Sequence, residues 1–450
     1  MSRRQVAWVT VMVVLVTLCV GRVFSDNNFL EEMNMVTRVF AVIRANYIEK
    51  VESKKLFEGA CRGMAAALGD PHSVYFDVDQ NERFTSDTQG EFGGLGIEIG
   101  IKDGILTVMS PIAGTPAYEA GILPGDRIIE IDGESTEGIF INDAVKKLRG
   151  PVGSKVTITI RHVNGRANEK ITITRAKIKP ASLEQVMIDP ERKIAYVHLL
   201  HFTSHLGEEF DKTLSELTAQ GMKGLVLDLR GNPGGLLDVA VNICNHFIAE
   251  GKIVSVKGRR PEGDRVYVAQ KPGTLTHVPV VCLIDRGSAS ASEIVAGCLR
   301  DHKRALIVGE RSYGKGSVQM PFPIPPGGAL KLTTARYYTP NDTPIMDGKG
   351  IVPDILIPMS TELQLALRMQ EREDKLRGAY KVGVSGLRGE TEPKPEAKDA
   401  KQKEQPKQAA PVLDGDEDEG VGRRERVEDI QLKGALKILE VQMNARQAGG

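Results

Sequence analysis

The sequence predicts an α/β protein with a helical arm at its amino end and helices at its carboxyl end. Three apolar runs bounded by turn-forming residues suit strands buried on both faces: residues 194–199, 225–230 and 280–285. Each run is followed by a stretch with the spacing of a helix that buries one face. The chain of 450 residues, 41% of them hydrophobic, has room for two or three domains with a real core.

The amino-terminal stretch predicts export. Arg3 and Arg4 precede an apolar run over residues 6–20, which is shorter than the roughly 20 residues of a membrane-spanning helix and suits the core of a secretory signal. Residues 21–25 make a poor small-residue cleavage site. An uncleaved signal anchor therefore stays open as the alternative.

Residues 27–68 carry apolar side chains at helical spacing, interrupted at residues 46–48. This pattern predicts two helices, which we interpret as an arm that packs or forms a dimer.

The composition of the chain argues against two kinds of partner or site. The formal net charge of +0 gives no reason to expect nucleic acid as a partner. The 5 cysteines form no C-x-x-C pair, which favours buried thiols over a metal site or a disulfide framework.

Residues 89–177 form a distinct unit of alternating apolar positions and glycine turns. The motif A-G-I-L-P-G-D-R-I-x-x-I-D-G, residues 120–133, resembles a PDZ domain. That resemblance implies that a peptide's carboxyl end joins the sheet as an extra strand, its carboxylate received by loop N–H groups. The loop that matches is Gly94-Leu95-Gly96-Ile97, where the glycines admit close approach and the two apolar side chains line a pocket. Arg149 follows a predicted helix over residues 141–148. We hypothesise that it contacts the core and transmits to it whether a peptide occupies the PDZ-like unit.

The chemistry is predicted to lie between residues 280 and 319. The strand over residues 280–285 leads through Ser288-Ala-Ser290-Ala-Ser292-Glu293 into a helix, and Gly314-Lys315-Gly316 follows the next strand. A serine hydroxyl is a weak nucleophile until a base takes its proton, and a desolvated lysine can do so near neutral pH. A serine at a helix N-terminus also has unpaired backbone N–H groups beside it that can hold an oxyanion.

Together these residues resemble the carboxyl-terminal processing proteases, the tail-specific serine peptidases of family S41. The resemblance covers roughly residues 27–358 and implies a ClpP/crotonase-like α/β protease core with an inserted PDZ domain. It makes Ser290 the nucleophile, Lys315, 25 positions later, the base, and Gln319 the assisting residue. It also implies that the turn D-L-R-G-N-P-G-G, residues 228–235, supplies an oxyanion N–H from Gly234 or Gly235, acting with Ala291.

Three other interpretations of these residues compete with this one. Residues 309–315 fit the phosphate-loop pattern G-x-x-x-x-G-K, but Gly316 replaces the required hydroxyl and the proline-rich continuation cannot be a helix. A Ser-His-Asp triad through Asp301 and His302 would place its acid about 16 Å from Ser290 along a helix, so Asp301 is predicted either to be a helix-end residue or to support the site without touching the substrate. The serines also fit a capping box with Glu293, which is compatible with catalysis.

The predicted domain division, from the amino end, is a signal peptide or anchor (1–25), a helical region (26–85), a PDZ domain (86–178), a serine protease core (179–360), a helix (361–388), a disordered charged linker (389–422) and a carboxyl-terminal helix (423–450). The predicted function is a serine endopeptidase that cleaves carboxyl-terminal tails of exported proteins, with no cofactor or metal. Its location would be the bacterial periplasm or envelope, soluble or tethered to the inner membrane. Expected partners are protein tails, with an adaptor and a homodimer or higher oligomer possible. The alternative is a non-catalytic PDZ scaffold.

Overall fold

The computed structural model describes residues 27–112, 114–162, 167–270, 275, 277–346, 348–376 and 426–448. The chain divides into two compact units, Met1–Asn81 with Met320–Thr333, and Glu82–Gln319 with Thr334–Gly450. The predicted signal segment and the predicted charged linker lie outside the described residues. Among the helices within these ranges, none combines the length and the apolar character that spanning a bilayer requires.

The first unit begins with the two predicted helices, α1 (Asn27–Asn46) and α2 (Ser53–Ala66), so the predicted break near residue 46 is confirmed. Phe40 and Phe57 stack with ring centroids 4.8 Å apart. Strand β1 (Val74–Phe76) then pairs antiparallel with residues 329–331. Many large apolar side chains of the two helices stay exposed: Leu30, Met33, Met35, Val36, Val39, Val42, Met64.

The first part of the second unit is a small β-rich body. Helix α3 (Val78–Gln89) starts in the last residues of the first unit and ends in the second. The body's other elements are β2 (Phe92–Gly94), β3 (Ile97–Lys102), β4 (Ile105–Pro111), α4 (Pro116–Glu119), β5 (Arg127–Ile131), β6 (Glu134–Ser135), α5 (Ile141–Leu148), β7 (Lys155–Arg161), β8 (Glu169–Thr174) and β9 (Ala176–Ile178). The main sheet has the order β3-β4-β5-β7-β8, with β6 on β5, while β2 pairs with β9. Strand β3 is therefore an edge of its sheet.

The remainder of the second unit is an α/β core, and the predicted α/β fold class is confirmed. Its strands are β10 (Leu183–Asp189), β11 (Ile194–Leu199), β12 (Gly224–Asp228), β13 (Lys252–Gly258), β14 (Arg265–Val268), β15 (Val280–Ile284), β16 (Leu306–Gly309) and β19 (Ile355–Leu356), together with the parts of β17 (Ser317–Ile324) and β18 (Gly328–Tyr338) outside residues 320–333, which belong to the first unit. Its helices are α6 (Leu206–Ala219), α7 (Leu237–Asn245), α8 (Ala291–Asp301), α9 (Thr361–Leu376) and α10 (Ile430–Ala448). One sheet has the order β10-β11-β12-β15-β16-β19, parallel from β11 onward.

The central strands β12 and β15 are buried along their whole length, as their uninterrupted apolar sequences predict. Helices α6, α7 and α8 pack on one face of the sheet. The other face is covered by α10, whose Leu432, Ala435 and Leu439 are buried against Val226 and Leu283, among others. The carboxyl-terminal helix is thus a layer of this chain's own core.

Parallel strands end at a common edge of their sheet, and that edge is where loops from successive strands meet. Strands β12, β15 and β16 are neighbours, so the segments that follow them lie together. These segments are residues 229–235, 285–290 and 310–316. They contain the predicted oxyanion glycines, the predicted nucleophile and the predicted base.

Candidate active site

The turn between β15 and α8 places Ser290 directly before the first residue of the helix. Its backbone has φ 55° and ψ −112°, a conformation that non-glycine residues rarely adopt and that costs of order 1–3 kcal/mol. Such strain persists only where the surroundings impose it, and it concentrates at functional sites. The structure therefore singles out Ser290 within its turn.

The two neighbouring serines, Ser288 and Ser292, serve the structure. The hydroxyl of Ser288 donates to the carbonyl of Leu229 (2.7 Å), and that of Ser292 donates to the carbonyl of Asn232 (2.9 Å). Both residues are 0% exposed, whereas Ser290 is 8% exposed. The flanking hydroxyls therefore tie the Ser290 turn to residues 229–235, and the middle serine is the one of the three that reaches solvent.

The carboxylate of Glu293 joins the serine turn to the lysine loop. Its Oε2 accepts hydrogen bonds from the N–H groups of Ser290 and Lys315, each at 2.8 Å. Its Oε1 accepts from the hydroxyl of Ser312 (2.5 Å) and the N–H of Gly314 (2.7 Å). The backbone nitrogens of Ser290 and Lys315 therefore lie no further apart than twice 2.8 Å.

Glu293 is fully buried, and this burial raises the pKa of its carboxyl group, while the four hydrogen-bond donors act in the opposite direction. The sequence reveals its capping contact with Ser290, because that contact is local. The bond across to residue 315 was missed, since nothing in the spacing of a capping box indicates a second loop.

Lys315 lies on a loop, as predicted, and is partly buried. Its two glycine neighbours allow the main chain to pass close to other segments: a Cβ on Gly316 would lie 1.4 Å from the carbonyl oxygen of Ile345. The chain then enters strand β17, so residues 309–315 lack the helix that a phosphate loop requires. In β17, Gln319 donates from Nε2 to the hydroxyl of Ser317 (2.8 Å).

The turn over residues 229–235 lies against Ser290. Gly234 has φ 98°, and a Cβ at this position would come within 2.8 Å of the Cβ of Ser290 and 2.9 Å of the nitrogen of Ala291. A glycine is therefore required there by close approach as well as by conformation. The turn is also held by Ala289, whose N–H donates to the carbonyl of Asn232 (3.0 Å).

The two candidate oxyanion glycines differ in their hydrogen bonds. The N–H of Gly234 donates to Oδ1 of Asn232 (2.9 Å), whose Nδ2 donates to the carbonyl of Leu199 (2.7 Å). Within the described residues, the N–H groups of Gly235 and Ala291 have no protein acceptor. Gly235 is exposed and Gly234 is buried, so Gly235 is the glycine whose N–H is available to a ligand.

Asp301 ends helix α8, and the prediction that it is a helix-end residue is confirmed. Its Oδ2 accepts hydrogen bonds from the hydroxyl of Thr339 and the N–H of Asn341. The ring of His302 lies on the carbonyl oxygen of Lys252, 2.7 Å away. These contacts anchor the far end of the helix.

The predicted carboxylate loop lies at the start of edge strand β3. Gly96 has φ 79°, and a Cβ there would lie 2.2 Å from the Cβ of Thr115. Its carbonyl accepts hydrogen bonds from the N–H of Ile112 (2.8 Å) and the hydroxyl of Thr115 (3.1 Å). Leu95 is 2% exposed within the core of this body, Ile97 is partly buried beside it, and Gly94 ends β2.

Arg149 follows α5, and its guanidinium lies 3.9 Å from the ring centroid of Phe92. It also donates to Asp87 (3.3 Å). Both contacts lie in the predicted PDZ segment rather than in residues 179–360, so these contacts of Arg149 are within that segment and are not the hypothesised contact with the core. A contact within one domain cannot be distinguished from a contact between domains by sequence spacing alone.

A serine in a strained turn at a helix N-terminus, beside two available main-chain N–H groups, is the arrangement by which hydrolases attack an acyl group. Here it lies on an α/β core that carries a PDZ-like body. The fold and the site together define a serine peptidase of the PDZ-containing kind.

Comparison with known proteins gives the family. The model of peptidase family S41 matches residues 193–357, that of a PDZ domain matches residues 107–162, and that of the activating protease CtpB N-terminal domain matches residues 21–80. The carboxy-terminal-processing protease of Bartonella bacilliformis is 38% identical over 92% of this chain and 90% of its own length. The carboxy-terminal processing protease CtpB of Bacillus subtilis is 37% identical over 74% of this chain and 69% of its own length.

Among solved structures, a photosystem II D1 C-terminal processing protease is 28% identical, with a TM-score of 0.45 over 73% of this chain and 93% of its own. This chain belongs to the carboxy-terminal processing proteases of peptidase family S41. It is a serine-type peptidase that processes carboxyl termini.

Proposed function

We propose that this protein cleaves the carboxyl-terminal tails of exported proteins with Ser290 as the nucleophile and Lys315 as its general base. The observation that carries this proposal is the carboxylate of Glu293, whose Oε2 accepts from the N–H groups of both residues at 2.8 Å. A nucleophile and a base must lie within reach of each other before any activation can occur. One buried carboxylate supplies that constraint.

In the proposed reaction, neutral Lys315 takes the proton of the Ser290 hydroxyl as the oxygen attacks the scissile carbonyl carbon. The negative charge that develops on the carbonyl oxygen is received by the N–H groups of Ala291 and Gly235. We assign the role to Gly235 rather than Gly234 because the N–H of Gly234 already donates to Asn232. Gln319 would orient the amine of Lys315.

The tetrahedral intermediate then collapses as the scissile C–N bond breaks and the leaving amine takes the proton from Lys315. The product with a new amino terminus departs and leaves an acyl-enzyme on Ser290. Lys315, neutral again, takes a proton from water as the water attacks the ester. The second tetrahedral intermediate collapses as its C–O bond to Ser290 breaks, the serine oxygen takes the proton back from Lys315, and the new carboxyl terminus is released. No step requires a metal or a nucleotide.

Substrate capture is assigned to the PDZ domain. A tail would add to edge strand β3 as a further strand, and main-chain N–H groups of the loop Gly94-Leu95-Gly96-Ile97 would receive its carboxylate. The edge position of β3 and the closeness of Gly96 to Thr115 support this assignment. Occupancy of the domain would gate cleavage through Arg149 and its contacts with Asp87 and Phe92.

The remaining parts of the proposal rest on sequence. Residues 1–25 would export the protein to the periplasm or envelope and could tether it to the inner membrane. The domain division given above, with its linker over residues 389–422, is retained. The exposed apolar side chains of α1 and α2 are a candidate surface for a homodimer, and an adaptor remains a possible partner.

The decisive experiment compares purified wild type, Ser290→Ala and Lys315→Ala on a tagged protein with an apolar tail. Wild type should cleave it, while both variants should bind the tail and leave it whole. Ser215→Ala and Lys212→Ala, which alter exposed residues of α6, are the matched controls and should cleave normally. Cleavage by the purified Ser290→Ala protein at more than a thousandth of the wild-type rate would contradict the assignment.

A further inference from the structure

Arg230 follows strand β12 and belongs to the turn over residues 229–235, here called the oxyanion turn. Both its side chain and its main chain are hydrogen-bonded. Its Nε donates to both oxygens of Asp228 (3.0 Å each), and its Nη2 donates to Oδ2 of Asp228 (2.6 Å). Asp228 also accepts from the hydroxyl of Tyr196 (2.8 Å). The main-chain carbonyl of Arg230 lies 3.1 Å from Nε2 of His198. Both the side chain and the backbone of Arg230 are therefore fixed.

The other partners of this guanidinium come from the carboxyl-terminal end of the chain. Asp429 accepts from Nη1 (3.0 Å) and Nη2 (2.8 Å), and Oε1 of Gln431 accepts from Nη1 (3.1 Å). The two residues lie 199 and 201 positions beyond Arg230. This paired geometry between a guanidinium and a carboxylate is the strongest kind of protein hydrogen bond.

The ion pair is shielded from water and joined to the core. The side chains of Arg230, Asp228 and Asp429 are 15%, 2% and 12% exposed. Asp429 also caps α10, because its Oδ1 accepts from the N–H of Leu432 (2.9 Å). Gln431 donates from Nε2 to the carbonyl of Ile357 (2.7 Å). The start of α10 therefore has a fixed position relative to the turn.

The turn that follows Arg230 is the one that lies against the nucleophile. Four residues beyond Arg230, Gly234 approaches Ser290 and Ala291 more closely than a side chain would allow. A displacement of 1 Å in such a turn removes an oxyanion N–H from its useful position, since donors must lie at about 2.7–3.1 Å.

We propose that Asp429, assisted by Gln431, is a positioning residue for the oxyanion turn. The carboxyl-terminal helix thereby contributes to turnover as well as to the core, although neither residue touches the substrate. The inference rests on the proposed function, because it requires the turn over residues 229–235 to serve the oxyanion. In this proposal Asp429 and Gln431 affect catalysis although they lie beyond residue 357, where the match to the peptidase family model ends.

Asp429 has two roles, because it caps α10 and pairs with Arg230, and the substitution Asp429→Ser separates them. Serine is a good N-cap and can keep the bond to the N–H of Leu432, but its side chain is too short to reach Arg230. Glu440→Ser is the matched control, because it removes a carboxylate from the same helix and an exposed ion pair with Arg192 (3.1 Å). Gln431→Met is a second variant that removes a weaker acceptor at nearly constant volume.

The full-length variants would be assayed for kcat and KM on a fluorogenic peptide with an apolar tail, and for affinity to a peptide boronate that mimics the oxyanion. Asp429→Ser should lower kcat and boronate affinity 10- to 100-fold while KM stays within twofold of wild type. Gln431→Met should lower kcat three- to tenfold, and Glu440→Ser should match wild type. A merely structural role would lower the folded fraction without a selective loss of boronate affinity.

A kcat for Asp429→Ser within twofold of that of Glu440→Ser would overturn the inference. If Asp429→Ser fails to fold, Gln431→Met decides, and unchanged kcat in that variant overturns it. Cleavage by Ser290→Ala would instead overturn the proposed function. An inactive Ser290→Ala protein beside a fully active Asp429→Ser protein removes this inference alone.

Discussion

In the proposed function the Ser290 turn and the Gly94-Leu95-Gly96-Ile97 loop would both present main-chain N–H groups to a negatively charged oxygen, yet the two are built differently. The Ser290 turn is held by Glu293, Ser288 and Ser292, each hydrogen-bonded to another segment. The loop is held at Gly96 by Thr115 and opens onto an edge strand. Catalysis requires donors in place before the charge develops, whereas capture requires a free edge to which a strand can add.

The largest effect is expected for Glu293→Gln, which tests whether the hydrogen bonds that hold the Ser290 turn are needed for catalysis. An amide replaces one carboxylate oxygen with an N–H₂ group, which cannot accept hydrogen bonds from the donors around it. We expect kcat to fall about 10²-fold with little change in KM, because the main chains of residues 290 and 315 would no longer share one acceptor. Steady-state kinetics would measure both parameters.

Glu208→Gln, a change of an exposed carboxylate on α6, is the matched control and should be silent. The buried donors left without an acceptor should also lower the free energy of unfolding by about 1–3 kcal/mol. A Glu293→Gln enzyme with wild-type kcat would show that the shared carboxylate is dispensable.

Gly96→Ala tests whether the loop over residues 94–97 captures the substrate tail. The new Cβ would lie 2.2 Å from the Cβ of Thr115, so the loop must shift. KM for a tailed substrate should rise at least tenfold, while kcat for a short peptide without a recognisable tail stays within twofold. Gly104→Ala is the control, since it has a similar φ (74°) but nothing within 4 Å of its Cβ. Equal effects of the two substitutions would remove the assignment of this loop.

A smaller effect is expected for Arg149→Ala, which cuts the contacts with Asp87 and Phe92. Turnover of a tailed substrate should fall three- to tenfold while the affinity for a free tail peptide, measured by fluorescence anisotropy, stays unchanged. Lys146→Ala on the same helix, which removes an exposed pair with Asp143, is the control. Unchanged turnover would exclude gating through Arg149.

The sequence predicts more of the local geometry than of the long-range contacts. The break between α1 and α2, the loop at Lys315 and the helix that begins after Ser290 all follow from apolar periodicity and turn residues. The contacts of Asp429 with Arg230 and of Glu293 with Lys315 do not, because each depends on how distant segments meet in the folded chain. The roles of Ser288 and Ser292 were missed for the same reason.

Differences at element ends have a similar origin. The pattern predicts a helix over residues 236–248, whereas α7 spans Leu237–Asn245. Phe247 and Ile248 are apolar and buried, but they lie beyond the helix because the chain turns after residue 245 towards strand β13. Periodicity reports burial on one side of the chain and is less informative about where hydrogen bonding stops.

The smallest expected effect concerns pH. The pKa of Glu293 is raised by its burial, so the folded state binds more protons than the unfolded state between the ordinary glutamate pKa and the raised value. The contribution of this group to stability is therefore full below the ordinary pKa and declines as the pH rises through the raised one. The difference in unfolding free energy between wild type and Glu293→Gln should shrink over that range, as urea titrations would measure. A difference that grows with pH would contradict the sign.

The central claim, that Ser290 attacks the substrate with help from Lys315, is tested most directly by trapping the acyl-enzyme. An activated peptide ester would be mixed with the enzyme, quenched in acid and digested for mass spectrometry. We expect the acyl mass on Ser290 in the wild type and no such adduct in Lys315→Ala. An adduct on another residue of the wild type, or an equal rate of acylation without Lys315, would contradict the account.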